Sequence, residues 1–251
     1  MPKPVEYIAN HLRQVLINGA SAPHAAEVQH FFKEVITSRG WRAPELRKLA
    51  RRFTKIIKNE AGLGYLVAVA DNLFRGEVLE EKGLAVLLLE TSTAEFKAKE
   101  FRVFESWLKR VTSWADHDAL ASYLLGPMMV TDPRRTAQAL RWMKSRDRWH
   151  RRAAAVSLIR GARIGMFEAE TAKVTRALLY DEDDMVQKGL GWLLRESAKY
   201  NREFAVPLLK KIAADKKTPR LVVRTGCETL PVNLKAEIVA IGKPSRREAR
   251  K

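Results

Sequence analysis

Trp114 and Asp118 stand four residues apart in Ser113-Trp-Ala-Asp-His-Asp118, so a helix through them sets an indole and a carboxylate on one face. Trp192 lies four residues beyond Lys188, and Arg195 three beyond Trp192, which puts an aromatic plane between two cations on a second helical stripe. A carboxylate stabilises positive charge that develops in a reaction, aromatic faces attract cations, and arginines grip oxyanions in a planar fork. As a set, these residue types suit a cationic base linked to a sugar. Trp107, Trp142 and Trp149 instead fall in ordinary amphipathic patterns and read as core.

Other chemistries have less to work with. His11, His24, His30, His117 and His150 lack the paired spacing of zinc motifs, so neither a metal nor a cofactor is expected. There is no Gly-x-Ser-x-Gly elbow for a serine nucleophile and no Gly-x-x-x-x-Gly-Lys-Ser/Thr phosphate loop. The single cysteine, Cys227, excludes an intrachain disulfide framework, and its repeat position assigns it to packing.

The elements that must position these residues are helices. Apolar residues recur at three- and four-residue spacing, as in Ile8, Leu12, Val15, Leu16 and in Leu46, Leu49, Phe53, Ile56, Ile57. Breaks are expected at Ser38-Arg-Gly40, Ala61-Gly62, Arg75-Gly76, Thr131-Asp-Pro133, Gly161 and Asp181-Glu-Asp-Asp184, with helices of about 10 to 18 residues between them. Asn18-Gly19 follows a helical pattern and leads into the capping-like Ser21-Ala22-Pro23, so it marks no hairpin. Trp149–Val156, Met185–Trp192 and Leu221–Glu228 align with Arg152, Lys188 and Arg224 in register, at a period of 36 residues. Such a period marks stacked helical repeats. The register continues back to a variant repeat with Asp116 in the basic position. We therefore expect an all-α chain, a single helical solenoid over residues 1–242, and a short basic tail over 243–251.

Charge points to the partner. Among 251 residues, 46 Lys and Arg against 29 Asp and Glu leave a net charge of +17, which favours nucleic acid, or less often an acidic membrane face. From Arg134 to Arg163 ten cations accompany one acid, Asp147, and like charges crowded in this way repel unless an anion sits against them. Stacked repeats would set Arg152, Lys188 and Arg224 in a row along a duplex-tracking groove; alternatively, these residues cap the C-terminal ends of neighbouring helices. The longest apolar run, Leu84–Leu89, is far short of the roughly 20 residues of a membrane span, and no secretory signal follows Met1. A cytoplasmic, nucleoid-associated location is expected.

Four strings carry a family resemblance: Ser113-Trp-Ala-Asp-His-Asp118, Trp149-His-Arg-Arg-Ala-Ala-Ala155, Gln187-Lys-Gly-Leu-Gly-Trp-Leu-Leu-Arg-Glu-Ser-Ala-Lys199 and Gly40-Trp-Arg-Ala-Pro-Glu-Leu-Arg47. Together they resemble the bacterial DNA alkylation repair glycosylases of the AlkD type, in the same order from roughly Val5 to Leu230. The resemblance implies a superhelical stack of HEAT-like antiparallel helix pairs with a concave basic face. It also implies excision of cationic N3- or N7-alkylated purines from double-stranded DNA by a monomer without cofactor. Trp114 and Trp192 would then pack against the deoxyribose, Asp118 would be the catalytic carboxylate, and Arg152 would hold the nearby backbone. Arg47, Arg148, Lys188, Arg195, Lys199 and Arg224 complete the expected DNA-binding set. The lesion would stay stacked, so that bulky adducts are tolerated. Ala115 and the His117 set between two aspartates depart from the family pattern and bear on substrate range. A noncatalytic DNA-binding solenoid and a protein-interaction scaffold are the rival readings.

Overall fold

A computed structural model describes residues 2–241, and the tail at 243–251 lies outside them. Among the described residues there are helices and turns but no strand, only an isolated bridge between Thr37 and Val78. The all-α expectation holds. The chain forms two compact units that divide after Met128.

In the first unit, α1 (Val5–Asn18) buries Ala9, Leu12 and Leu16 on one stripe, and α2 (Ala22–Gln29) starts at the Ser21 cap with Pro23 in its first turn. The long α3 (Ala43–Phe74) breaks at Gly62, where φ of 82° suits glycine, so the expected interruption is a kink rather than a loop. Helix α4 (Leu79–Leu89) packs on α3 and is buried almost throughout; this is where the run Leu84–Leu89 is spent. After α5 (Ala98–Trp107), which buries Phe101, Phe104 and Trp107, come the short α6 (Trp114–Leu120), a wide turn at Ala121–Leu125, and α7 (Gly126–Thr131), which crosses into the second unit.

The second unit holds α8 (Thr136–Trp142), α9 (Arg148–Val156), α10 (Ile159–Ala162), α11 (Glu168–Leu178), α12 (Asp184–Tyr200), α13 (Arg202–Ala214), α14 (Arg220–Gly226) and α15 (Val232–Ile241). The 36-residue period is built into its backbone. Helices α9, α12 and α14 begin one period apart, and Asp147 and Asp183 cap the first two identically, each accepting the amides two and three residues on. Helix α12 packs against both α9 and α14, while α8, α11 and α13 pack beside them, so each repeat buries its apolar face on its neighbours. In the first unit α6 starts two residues late for this register, because Ser113 caps it.

Two expectations need correction. Helix lengths run from four residues in α10 to 32 in the kinked α3. Gly161 separates nothing; it lies inside α10, and a Cβ there would come within 2.1 Å of the Phe167 ring. Phe167 holds a left-handed φ of 68°, fixing its ring over that glycine. Gly161→Ala should overpack this contact and cost about 1–3 kcal/mol, read as a lower urea midpoint.

Candidate functional site

Helix α6 presents the first pair. Its start is pinned by Asp116, whose carboxylate accepts from the amides of Thr112 (2.9 Å) and Ser113 (2.8 Å), from the Ser113 hydroxyl, and from Lys82 Nζ at 3.2 Å. Lys82 and Asp116 are both buried, their side chains 2% and 1% exposed, and Lys82 also donates to the Arg110 carbonyl and Thr112 Oγ1. This carboxylate is consumed by structure. Asp118, half a turn on, keeps 17% of its side chain exposed and pairs with Nδ1 of the fully buried His117 at 2.8 Å. Trp114, half-buried on the same helix, stacks on Phe32 with ring centres 4.9 Å apart and planes at 15°. Of the two aspartates beside Trp114, only Asp118 therefore keeps part of its side chain at the surface. The stacking of Phe32, the pairing of His117 and the anchoring by Lys82 are contacts that spacing did not reveal.

The Gly40–Arg47 string is held at both ends. Buried Glu80 accepts from the Ser38 hydroxyl and from the amides of Arg39, Gly40 and Trp41, fixing the entry to α3. Gly40 is required there: its φ is 74°, and a Cβ would sit 2.1 Å from the Ser21 carbonyl oxygen. Arg47 pairs with Glu90 at 3.0 Å, donates to the Tyr123 hydroxyl at 2.9 Å and lies over the Tyr123 ring.

In the second unit Lys188, Trp192, Arg195 and Lys199 share α12, as their spacing predicts. Trp192 is half-buried, and its Nε1 donates to Glu196 Oε1 at 3.2 Å; Arg195 donates to the same oxygen, and Arg163 holds Oε2 at 2.8 Å. Burial raises the Glu196 pKa, but Arg163 and Arg195 outweigh it and hold the group below the usual carboxylate value. Glu196 thus orients the indole and the arginine together. Glu196→Gln should lower stability at neutral pH. Because the native pKa is depressed, the difference is full above the unfolded value, about 4.3, and fades as pH falls through the native one; urea midpoints of both proteins across pH 2–7 would show it.

The expected row of cations is regular in backbone but not in side chains. Arg152, Lys188 and Arg224 are each the fifth residue of α9, α12 and α14. Arg152 is nevertheless only 5% exposed, donates to the Met185 carbonyl and lays its stem where a Gly189 Cβ would be, 3.0 Å from Cγ. Thr225, the counterpart of Gly189, carries a side chain and offers no such slot, and Lys188 stays 41% exposed, paired with Asp184. Arg224 and Lys199 are exposed, and Lys199 lies over the Tyr200 ring. The crowded basic run is also relieved from outside: Arg148, Arg151 and Arg163 meet Asp183, Asp181 and Glu196 of the next repeat, and Arg148 rests on the Trp149 ring.

Trp107, Trp142 and Trp149 are buried, as their patterns predict. Cys227 is buried and its thiol is pushed up to about 11 by burial, in keeping with a packing role. No group of three or more His, Cys, Asp or Glu among the described residues is arranged to hold a metal, and no described helix is long and apolar enough to cross a membrane.

The model of a family described as DNA alkylation repair enzyme matches residues 12–230. Among solved structures, one described as a predicted DNA alkylation repair enzyme from Enterococcus faecalis shares the fold with a TM-score of 0.75 at 19% identity, over 85% of this chain and 97% of its own. No curated protein matches the sequence.

Proposed function

Because the chain belongs to the DNA alkylation repair enzyme family, we propose that it is a glycosylase that excises cationic N3- or N7-alkylated purines from duplex DNA. The observation that carries this reading is the division between neighbouring carboxylates on α6: Asp116 is spent on the helix start, whereas Asp118 remains part-exposed one turn from a half-exposed indole. Alkylation at N3 or N7 makes the purine a good leaving group, so no strong general acid is needed. The bond from C1′ to the base nitrogen breaks, its electron pair leaves with the purine, and positive charge gathers on the sugar. Asp118 stabilises that charge and orients the water that adds at C1′. Trp114, one turn from Asp118, offers an aromatic face to the deoxyribose, and Trp192 in the second unit offers one to the DNA.

In the second unit exposed Lys199 and Arg224, part-exposed Lys188 beside Asp184, and Arg148 and Arg195 beside their carboxylates supply a positive field for the DNA backbone; in the first unit Arg47, beside Glu90, supplies its own. Arg152, buried against the α12 backbone, adds its charge to the second unit's field. Duplex affinity should fall linearly on a log–log plot against salt, by about 0.9 in slope for each phosphate neutralised. The test of function is incubation with duplex DNA carrying N7-methylguanine, followed by chromatography for the free base. Release well above the protein-free rate supports the glycosylase. Tight, salt-sensitive binding with no release would favour a noncatalytic DNA-binding protein.

A further inference from the structure

The last repeat contains a cavity of about 240 Å³ that the excision chemistry does not use. Lys216, Arg220 and Arg224 line it with Thr218 and Asp215, and Ala213, Val223, Ile238 and Val239 supply apolar wall. Two observations single it out.

Arg220 and Arg224 sit four apart on α14, so their like charges face each other along one stripe, an arrangement that destabilises a helix. Neither appears in any ion pair or hydrogen bond among the described residues, whereas Arg148, Arg151, Arg163 and Arg195 of the same unit each have a carboxylate partner. Thr218, 8% exposed, has a buried hydroxyl oxygen with no hydrogen-bond partner. An unsatisfied buried hydroxyl costs stability, as does unrelieved like charge, and one bound oxyanion would answer both.

Asp215 fits that assignment. Its Oδ2 accepts from the Tyr180 hydroxyl and its Oδ1 from the Lys217 amide at 2.9 Å, and the Tyr180 bond leads in holding its pKa low. It stays ionised with both oxygens engaged, leaving the Arg220 and Arg224 pair against one anion that is already spent on Tyr180 and Lys217.

We propose that this cavity is a phosphate site. Arg220 and Arg224 grip the anion from one helix face, the Thr218 hydroxyl donates to one of its oxygens, and the apolar wall covers the sugar that carries it. The space is several times the ~30 Å³ of a water molecule. The choice of a nucleic-acid phosphate rests on the function proposed above; the phosphate chemistry does not. A phosphate in the DNA strand and free phosphate are the two sources that the test separates.

The test uses the full chain, Arg220→Gln alone, an Arg220→Gln/Arg224→Gln double variant and Thr218→Val. Inorganic phosphate is titrated against chloride at constant ionic strength and followed by amide chemical shifts. An undamaged duplex oligonucleotide is titrated by fluorescence anisotropy across a salt series. The parent should bind phosphate saturably, and the double variant at least 10-fold more weakly. Thr218→Val should melt at or above the parent temperature yet bind phosphate less well, a combination that simple loss of structure cannot produce. A duplex salt slope shallower by about 0.9 in Arg220→Gln alone, at a residue outside the DNA-facing set above, assigns the phosphate to DNA. An unchanged slope with phosphate binding lost assigns it to free phosphate. No saturable phosphate binding by the parent, together with an unchanged duplex slope, overturns the proposal. Base release is read separately: a parent that releases no base but loses phosphate binding in the double variant would sink the glycosylase and leave this site standing.

Discussion

Asp118→Asn is expected to slow single-turnover release of N7-methylguanine roughly 10- to 1,000-fold, the size typical of removing one preorganised electrostatic group. The substitution keeps the shape of the side chain and removes its charge. Asp118 takes no part in capping α6, which Ser113 and Asp116 do, but it pairs with buried His117, so the melting temperature should fall modestly and the rates are compared where both proteins are folded. Duplex affinity should hold as well, because the cations that face the backbone are untouched. Asp116→Asn is the informative control: it weakens the cap and the Lys82 pair, so it should lose stability first and rate only as a consequence. A full rate in Asp118→Asn would remove this carboxylate from the chemistry.

Lys82→Met should cost about 3–5 kcal/mol of unfolding free energy, because it leaves the Asp116 carboxylate as a buried charge without its cation. The backbone amides of Thr112 and Ser113 still donate to that carboxylate, but they carry dipoles rather than a compensating charge. Combining Lys82→Met with Asp116→Asn removes both charges and keeps a capping oxygen. The double variant should therefore be more stable than Lys82→Met alone, a sign of coupling that a double-mutant cycle in urea measures directly. Helix α6 carries both Trp114 and Asp118, so the single variant should also release base more slowly at temperatures where it remains folded.

Local pattern made much of this architecture legible. The period that aligned Arg152, Lys188 and Arg224 recurs as the starting points of α9, α12 and α14, since caps and apolar spacing are written within each repeat. The separation of three core tryptophans from Trp114 and Trp192 was visible for the same reason. Interactions between repeats were not. The acids that answer Arg148, Arg151 and Arg163 lie 30 to 35 residues away in sequence, so the run looked more exposed to self-repulsion than it is. Whether a basic position projects outward depends on its neighbour in the next helix: Gly189 makes room for Arg152, and Thr225 does not do so for Lys188. Gly161 looked like a break because glycine commonly marks one, but the Phe167 ring is what demands it. Spacing alone did not mark Glu196, although it fixes both Trp192 and Arg195.

The central claim is that the glycosidic bond of the damaged nucleotide is the bond that breaks. The most direct measurement follows one duplex carrying a single N7-methylguanine, with protein in excess, and counts free N7-methylguanine and alkali-labile abasic sites over time. Equal yields of the two, rising together well above the protein-free rate, are the predicted result. A lesion left intact in the bound strand, or converted to guanine in place with no abasic site, would contradict it.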